Sequence, residues 1–135
     1  MTDRSVVYSE EPALSAEEFL ALARLVRPRD YSLADARDAL RMTINVTARL
    51  DGQLVGSVRI LTDGYFFGTI PEVMVHPEHR GTGIGRRLME LAWELSPTGL
   101  FFGAQDGNEG FFEKLGYERS MTSFAKRKAR PTGAG

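Results

Sequence analysis

Residues 80–87 read Arg-Gly-Thr-Gly-Ile-Gly-Arg-Arg. Glycines alternate at 81, 83 and 85, and arginines stand at 80, 86 and 87. An apolar run, Val73 to Val75, lies ahead of the loop. Behind it, Ile84, Leu88, Leu91, Ala92 and Leu95 recur on one face of a helix. A helix N-terminus offers N–H groups that lack intrahelical partners, and a partial positive charge. Glycines before it let the backbone curl and let a bulky anion approach without meeting a Cβ. The chemistry this spacing predicts is a phosphate or pyrophosphate cradle built from the backbone of residues 81–86, with arginine charge around it. A loop that only turned the chain would not need three alternating glycines, each of which costs backbone entropy.

Two well-known phosphate loops do not fit. The Gly-Lys-[Ser/Thr] ending of a Walker A loop is missing. The dinucleotide fingerprint G-x-G-x-x-G would need a third glycine at position 86, which is Arg86. That fingerprint also follows its strand almost directly, whereas His76 to Arg80 intervene here.

The elements that must position the loop can be read from periodicity and turn signals. Val6 to Tyr8 suit a strand. Ser15 followed by Glu18 is a capping-box pattern, and Phe19, Leu22, Ala23 and Val26 give one helical face, so a helix is expected over about 15–26. "RPRD" breaks it, and Ser32 opens a second helix. Ile44 to Leu50 alternates as a strand, Asp51-Gly52 is a hairpin signal, and "QLVGSVRIL" returns. Asp63-Gly64 marks another turn before a third strand, "YFFGTIPEVMVH". Pro71 sits inside that strand and cannot donate to a ladder, so a bulge or an unpaired edge is expected there. After the glycine loop and its helix, "LFFGAQ" reads as a buried strand parallel to the third, "NEGFFEKL" as a short helix ended by Gly116, and "YERSMTSFAKRK" as a last strand. The fold class expected is α/β, a mixed, mostly antiparallel sheet with flanking helices. One domain is expected over 1–128. The tail 129–135 reads as disordered, with Lys126, Arg127, Lys128 and Arg130 a solvated basic terminus.

Composition narrows the function. The chain has 135 residues, a net charge of −1 and no cysteine. A nucleic-acid binder acting through bulk charge would usually be basic. Without cysteine there is no disulfide, thiolate metal site or Cys nucleophile, and two histidines alone make no zinc site. No apolar segment approaches about 20 residues, and no secretory leader is apparent. A cytoplasmic protein with no metal, nucleic-acid or membrane partner is the expectation. His76 and His79 read as exposed loop residues.

The stretch "VMVHPEHRGTGIGRRLM" resembles the acetyl-coenzyme A signature of the GNAT family of N-acetyltransferases, whose core R/Q-x-x-G-x-G/A is matched by Arg80 to Gly85. "NEGFFEKLGYER" is similar to that family's later motif, F-Y-E-K-x-G-F, and the order of elements is similar throughout. The resemblance implies an acetyl-CoA-dependent N-acetyltransferase of GNAT-like fold. Arg80, Gly81, Thr82, Gly83, Ile84, Gly85 and Arg86 would hold the pyrophosphate. Val73 to Val75 would splay from the "LFFGAQ" strand and hold the pantetheine arm, with a backbone N–H near Met74 or Val75 polarising the acetyl carbonyl. Asn108 would lie near the sulfur end, with Phe111 and Phe112 beside the cofactor.

Attack of an amine on a thioester needs the neutral amine, and an alkylammonium has a pKa near about 10.4. A base is therefore useful. Glu72, two residues before Met74, is the candidate, with a structural hydrogen-bond role as the alternative. Asp63 and Asp106 are weaker candidates, and Asp63 reads as a turn residue. The chain departs from the family pattern at Phe112, where a proton-donating Tyr often stands. Tyr117 is expected to pack in the core. Tyr31, Tyr65, Phe66 and Phe67 are the aromatics that could line an acceptor pocket between the early helices, the third strand and the last hairpin. The acceptor expected is a small primary amine, and little basic character is evident for a sugar phosphate. A protein acetyltransferase and an acyl-CoA sensor are the other readings. Dimers are common among similar proteins, so a homodimer is compatible.

Overall fold

The computed structural model describes residues 5–129. In chain order the elements are β1 (Val6–Glu10), α1 (Ala16–Val26), α2 (Leu33–Arg41), β2 (Ile44–Leu50), β3 (Gln53–Thr62), β4 (Gly68–Thr69), β5 (Val73–Val75), α3 (Ile84–Leu95) and α4 (Glu109–Lys114). A 3₁₀ turn over Pro77–His79 joins β5 to the glycine loop.

The helix starts follow their caps. The Ser15 hydroxyl accepts the Glu18 N–H at 3.2 Å, and the Ser32 hydroxyl accepts that of Asp35 at 3.2 Å. The β2–β3 hairpin turns on Asp51 (φ 52°) and Gly52 (φ 81°), the left-handed pair that Asp-Gly supplies. β1, β2 and β3 pair antiparallel in that order, with a bulge in the β2–β3 register at Ala48/Arg49.

The predicted third meander strand is present but broken. β4 pairs with β3 at Leu61 and Thr62, and β5 pairs with β3 from Gly56 to Val58. Ile70, Pro71 and Glu72 separate them, as the missing proline donor requires.

The sheet lies between two helical layers. On one face, Leu20, Leu22, Ala23, Ala36 and Leu40 of α1 and α2 bury against Leu54 and Met74. On the other, Ile84, Leu88, Met89 and Ala92 of α3 bury against Val46, Ala48, Val58 and Ile60. Gly56 lets α3 approach this closely, because a Cβ there would stand 2.9 Å from Ile84 Cγ2 and 3.0 Å from Leu88 Cδ1. The contact sets the start of α3 beside β5.

Arg49 ties α1 to the sheet. It donates to Glu11 at 2.8 Å and to Glu18 at 2.7 Å, and its hydrogen bonds hold both carboxyls below their usual range. No helix among the described residues is long and apolar enough to cross a membrane.

Two predicted strands are corrected. "LFFGAQ" forms no strand; its backbone meets β4 only in a parallel bridge between Phe101 and Thr69. β4 is two residues long and gives it nothing further to pair with, while Phe102 turns onto Phe112 and Tyr117 instead. "YERSMTSFAKRK" is also not a strand, and its Met121 and Phe124 are exposed. Residues 130–135 of the expected tail, Arg130 included, lie outside the described residues.

Candidate active site

A cleft of about 1130 Å³ runs from the α1–α2 connection, past β5, to the glycine loop and α4. Its middle is set by the ladder of β5. The Arg59 N–H donates to the Glu72 carbonyl and the His76 N–H to the Val55 carbonyl, with Met74 opposite Ser57 between them. Residues 72, 74 and 76 therefore direct their backbone groups at β3, and alternation turns those of Val73 and Val75 to the other edge. No strand among the described residues pairs with that edge. Of the two donors considered from sequence, Val75 thus faces the cleft through its N–H. Met74 directs its amide into the sheet and buries its side chain against α1 and α2.

The glycine loop forms one wall. Gly81 (φ 77°) and Gly83 (φ 91°) are left-handed, and a Cβ on either would point into open space. Gly83 is the N-cap of α3 and makes no side-chain cap bond. The first backbone bond into the helix is from the Arg87 N–H to the Gly83 carbonyl, 3.0 Å. The N–H groups of Ile84, Gly85 and Arg86 therefore lie ahead of the helical ladder. Arg80 and Arg86 line this wall, while Arg87 turns toward Glu90 and Glu94 at 3.8 and 3.9 Å. The Thr82 hydroxyl donates to the His79 carbonyl, which fixes the loop's bend, and Ile84 is buried in the core. An uncapped helix start, bare glycine backbone and two arginines fit an anionic group such as a pyrophosphate. Across from them, Phe111, Phe112 and Asn108 line the opposite wall, and Asn108 caps α4 without a side-chain bond.

Glu72 lies beyond β5, toward α1. Its two oxygens accept from Arg59 Nε at 2.6 Å and Nη2 at 2.7 Å, in a largely buried pair that lines the cleft. The Arg59 guanidinium also lies 5.6 Å from the centre of the Phe19 ring. A carboxylate offers about four lone-pair sites, and Arg59 takes two. Sequence reasoning missed Arg59, whose only signal was an arginine on the buried face of a strand.

Tyr31 lines the cleft at its α1–α2 end and donates its hydroxyl to the Arg27 carbonyl at 2.9 Å. Tyr65, Phe66 and Phe67 do not reach the cleft. They occupy the β3–β4 turn with Tyr65 83% exposed, and Phe67 stacks on Phe101. Asp63 builds that turn. Its carboxylate accepts the N–H groups of Tyr65, Phe66 and Phe67, which hold its carboxyl below the usual range. Asp106 is not in the cleft. His76 caps the 3₁₀ turn through Nδ1, and His79 lines the cleft near the loop. Tyr117 packs on Phe102 and Phe112, and burial pushes its phenol up. No tyrosine hydroxyl of the α4 region lines the cleft.

Comparison with known proteins bears on the family and the fold. The model of the acetyltransferase (GNAT) domain matches residues 43–119, more than half of the chain. The chain is similar to the glucosamine 6-phosphate N-acetyltransferase of Schizosaccharomyces pombe, 39% identical over 63 residues, 44% of this chain and 57% of that protein. It is similar to the mycothiol acetyltransferase of Beutenbergia cavernae, 32% identical over 131 residues, 89% of this chain and 42% of that protein. The chain thus spans about half the length of the curated relatives it matches. Its fold is similar to that of an aminoglycoside N-acetyltransferase solved in complex with CoA, with a TM-score of 0.74 and 16% identity, over 94% of this chain and 97% of that one. Open sheet, flanking helices, glycine loop and family model converge: the chain belongs to the GNAT family of acetyltransferases.

Proposed function

We propose that this protein transfers the acetyl group of acetyl-CoA to a primary amine of a small molecule. The observation that carries this reading is the uncapped start of α3, set behind open glycine backbone and beside the free edge of β5. Bound acetyl-CoA would supply an activated thioester. The residues from Arg80 to Arg86 would hold its pyrophosphate through backbone N–H groups and arginine charge. Val73 and Val75 would receive its amide-rich arm along the unpaired edge, with Asn108, Phe111 and Phe112 closing the opposite side.

Val75 would direct its N–H at the acetyl oxygen, where negative charge develops as the amine attacks. Glu72, oriented by its two hydrogen bonds from Arg59, would accept the amine's proton directly or through one water on its remaining lone pairs. The carbon–nitrogen bond forms and the carbon–sulfur bond breaks. Phe112 cannot donate a proton to the departing sulfur. A thiol of pKa near about 8.5 leaves tolerably as the thiolate at neutral pH, and solvent can protonate it. Small amine acceptors are supported by the acetyltransferases that the chain is similar to, two of which are named for amino sugars or aminoglycosides. A cytoplasmic location belongs to the same reading.

Thiol release from acetyl-CoA, followed with a panel of primary amines, tests the proposal. At least one amine is expected to give saturable, enzyme-dependent release. The chain has no cysteine to react with the thiol reagent. Binding of acetyl-CoA without release by any amine, peptide amines included, would point to the sensor reading instead.

A further inference from the structure

We infer that the acceptor amine carries an anionic group, a carboxylate or a phosphate, which docks on Arg27 and Arg29. This rests on the acetyl-transfer reading above. Both arginines stand in the connection between α1 and α2, and both line the acceptor end of the cleft. Of the other arginines on this part of the molecule, Arg37 pairs with Glu17 at 2.6 Å, Arg41 with Asp38, and Arg59 with Glu72, while Arg24 in the last turn of α1 does not line the cleft. Arg27 and Arg29 form no ion pair among the described residues.

The connection is also braced. The Tyr31 hydroxyl bonds the Arg27 carbonyl, and the Arg29 guanidinium lies 4.9 Å from the centre of the Tyr31 ring. A guanidinium laid over an aromatic face keeps its in-plane N–H donors free, the arrangement that grips carboxylate or phosphate by two bonds at once. The sequence showed Arg27-Pro28-Arg29 only as a helix break. The fold places it at the mouth of the cleft.

The other charges at this end favour a bipolar acceptor. Asp35 stands on the first turn of α2 and is the remaining carboxylate that lines the cleft besides Glu72. Arg27 and Arg29 outweigh it. Deeper in, Glu72 has unused lone pairs where an amine would arrive, and Arg59 balances its charge. An amine at Glu72 and an anion at Arg27 and Arg29 would align the acceptor along the cleft, pointing its nitrogen at β5.

The test is thiol release with matched pairs of amines: O-phosphoethanolamine with ethanolamine, alanine with alaninamide, and glucosamine 6-phosphate with glucosamine. Wild-type protein should favour the anionic member of at least one pair by about tenfold or more in kcat/KM, mainly through KM. Which pair shows it separates phosphate from carboxylate. Arg27→Gln with Arg29→Gln should bring that ratio toward one, and Arg29→Glu should lower it further. Equal or better turnover of the neutral members, a preference for a polyamine such as spermidine, or a ratio unmoved by the substitutions would overturn the inference. If no pair is turned over, calorimetry of the same pairs on CoA-loaded protein makes the same comparison, and equal or absent binding overturns it. Acetyl-CoA binding is measured alongside. If acetyl-CoA binds and only the anion preference is missing, this inference alone falls; if acetyl-CoA does not bind, the acetyl-transfer reading falls first.

Discussion

Gly83→Val is expected to weaken acetyl-CoA binding by at least about a hundredfold and to leave a folded protein, less stable by about 1–3 kcal/mol. Gly83 caps α3 at φ 91°, a conformation that a β-branched residue strongly resists. A Cβ there meets no protein atom within 4 Å, so the loss is not a core clash. It has two parts. The side chain enters the space that the anion would fill, and relief of the strained φ swings the N–H groups of Ile84, Gly85 and Arg86 away from it. Gly64→Val is the matched control. Gly64 also has a left-handed φ, 86°, and open surroundings, but it lies in the β3–β4 turn outside the cleft. It should cost similar stability and leave acetyl-CoA affinity within about twofold. Calorimetric affinities and melting curves of the two variants separate strain from lost binding. Equal affinities for both variants would mean that the glycine loop does not hold the cofactor.

The second large effect is expected at Glu72. Glu72→Gln should lower kcat about a hundredfold, within the range that a positioned general base contributes. Acetyl-CoA affinity should hold, because the carboxylate lies on the α1 side of β5, away from the glycine loop. Gln keeps an oxygen acceptor for Arg59, which limits the penalty of leaving a largely buried guanidinium uncompensated. The pH profile of kcat/KM should also change shape, and Glu72→Asp should restore part of the rate. An unchanged rate and profile in Glu72→Gln would reduce Glu72 to the structural partner of Arg59.

Much of this arrangement was legible in the sequence, and the reasons are local. Ser15 and Ser32 announce helix starts because their hydroxyls cap backbone N–H groups in place. Asp51-Gly52 announces the hairpin because few other pairs tolerate two left-handed residues. The start of α3 was legible for the same kind of reason, since Gly81 and Gly83 take the left-handed φ with which the chain turns from β5 into the helix. What failed depends on partners that periodicity does not record. Leu100 to Phe102 has a strand's composition, yet a strand needs a neighbour, and β4 supplies two residues. Tyr65 and Phe67 looked like pocket aromatics because they precede β5, but Asp63 gathers their N–H groups into an exposed turn. Arg59 announces itself only as an arginine on the buried face of a strand, and the Arg27–Arg29 pair only as a helix break. Their place in the cleft comes from strand register and from how α1 turns into α2.

The central claim is that the bare backbone between β5 and α3 holds acetyl-CoA. Calorimetric titration of the full chain with acetyl-CoA, with NAD and ATP as controls, tests it most directly. The account predicts saturable one-to-one binding of acetyl-CoA and markedly weaker binding of both controls. No binding of acetyl-CoA, or a preference for NAD or ATP, would contradict it.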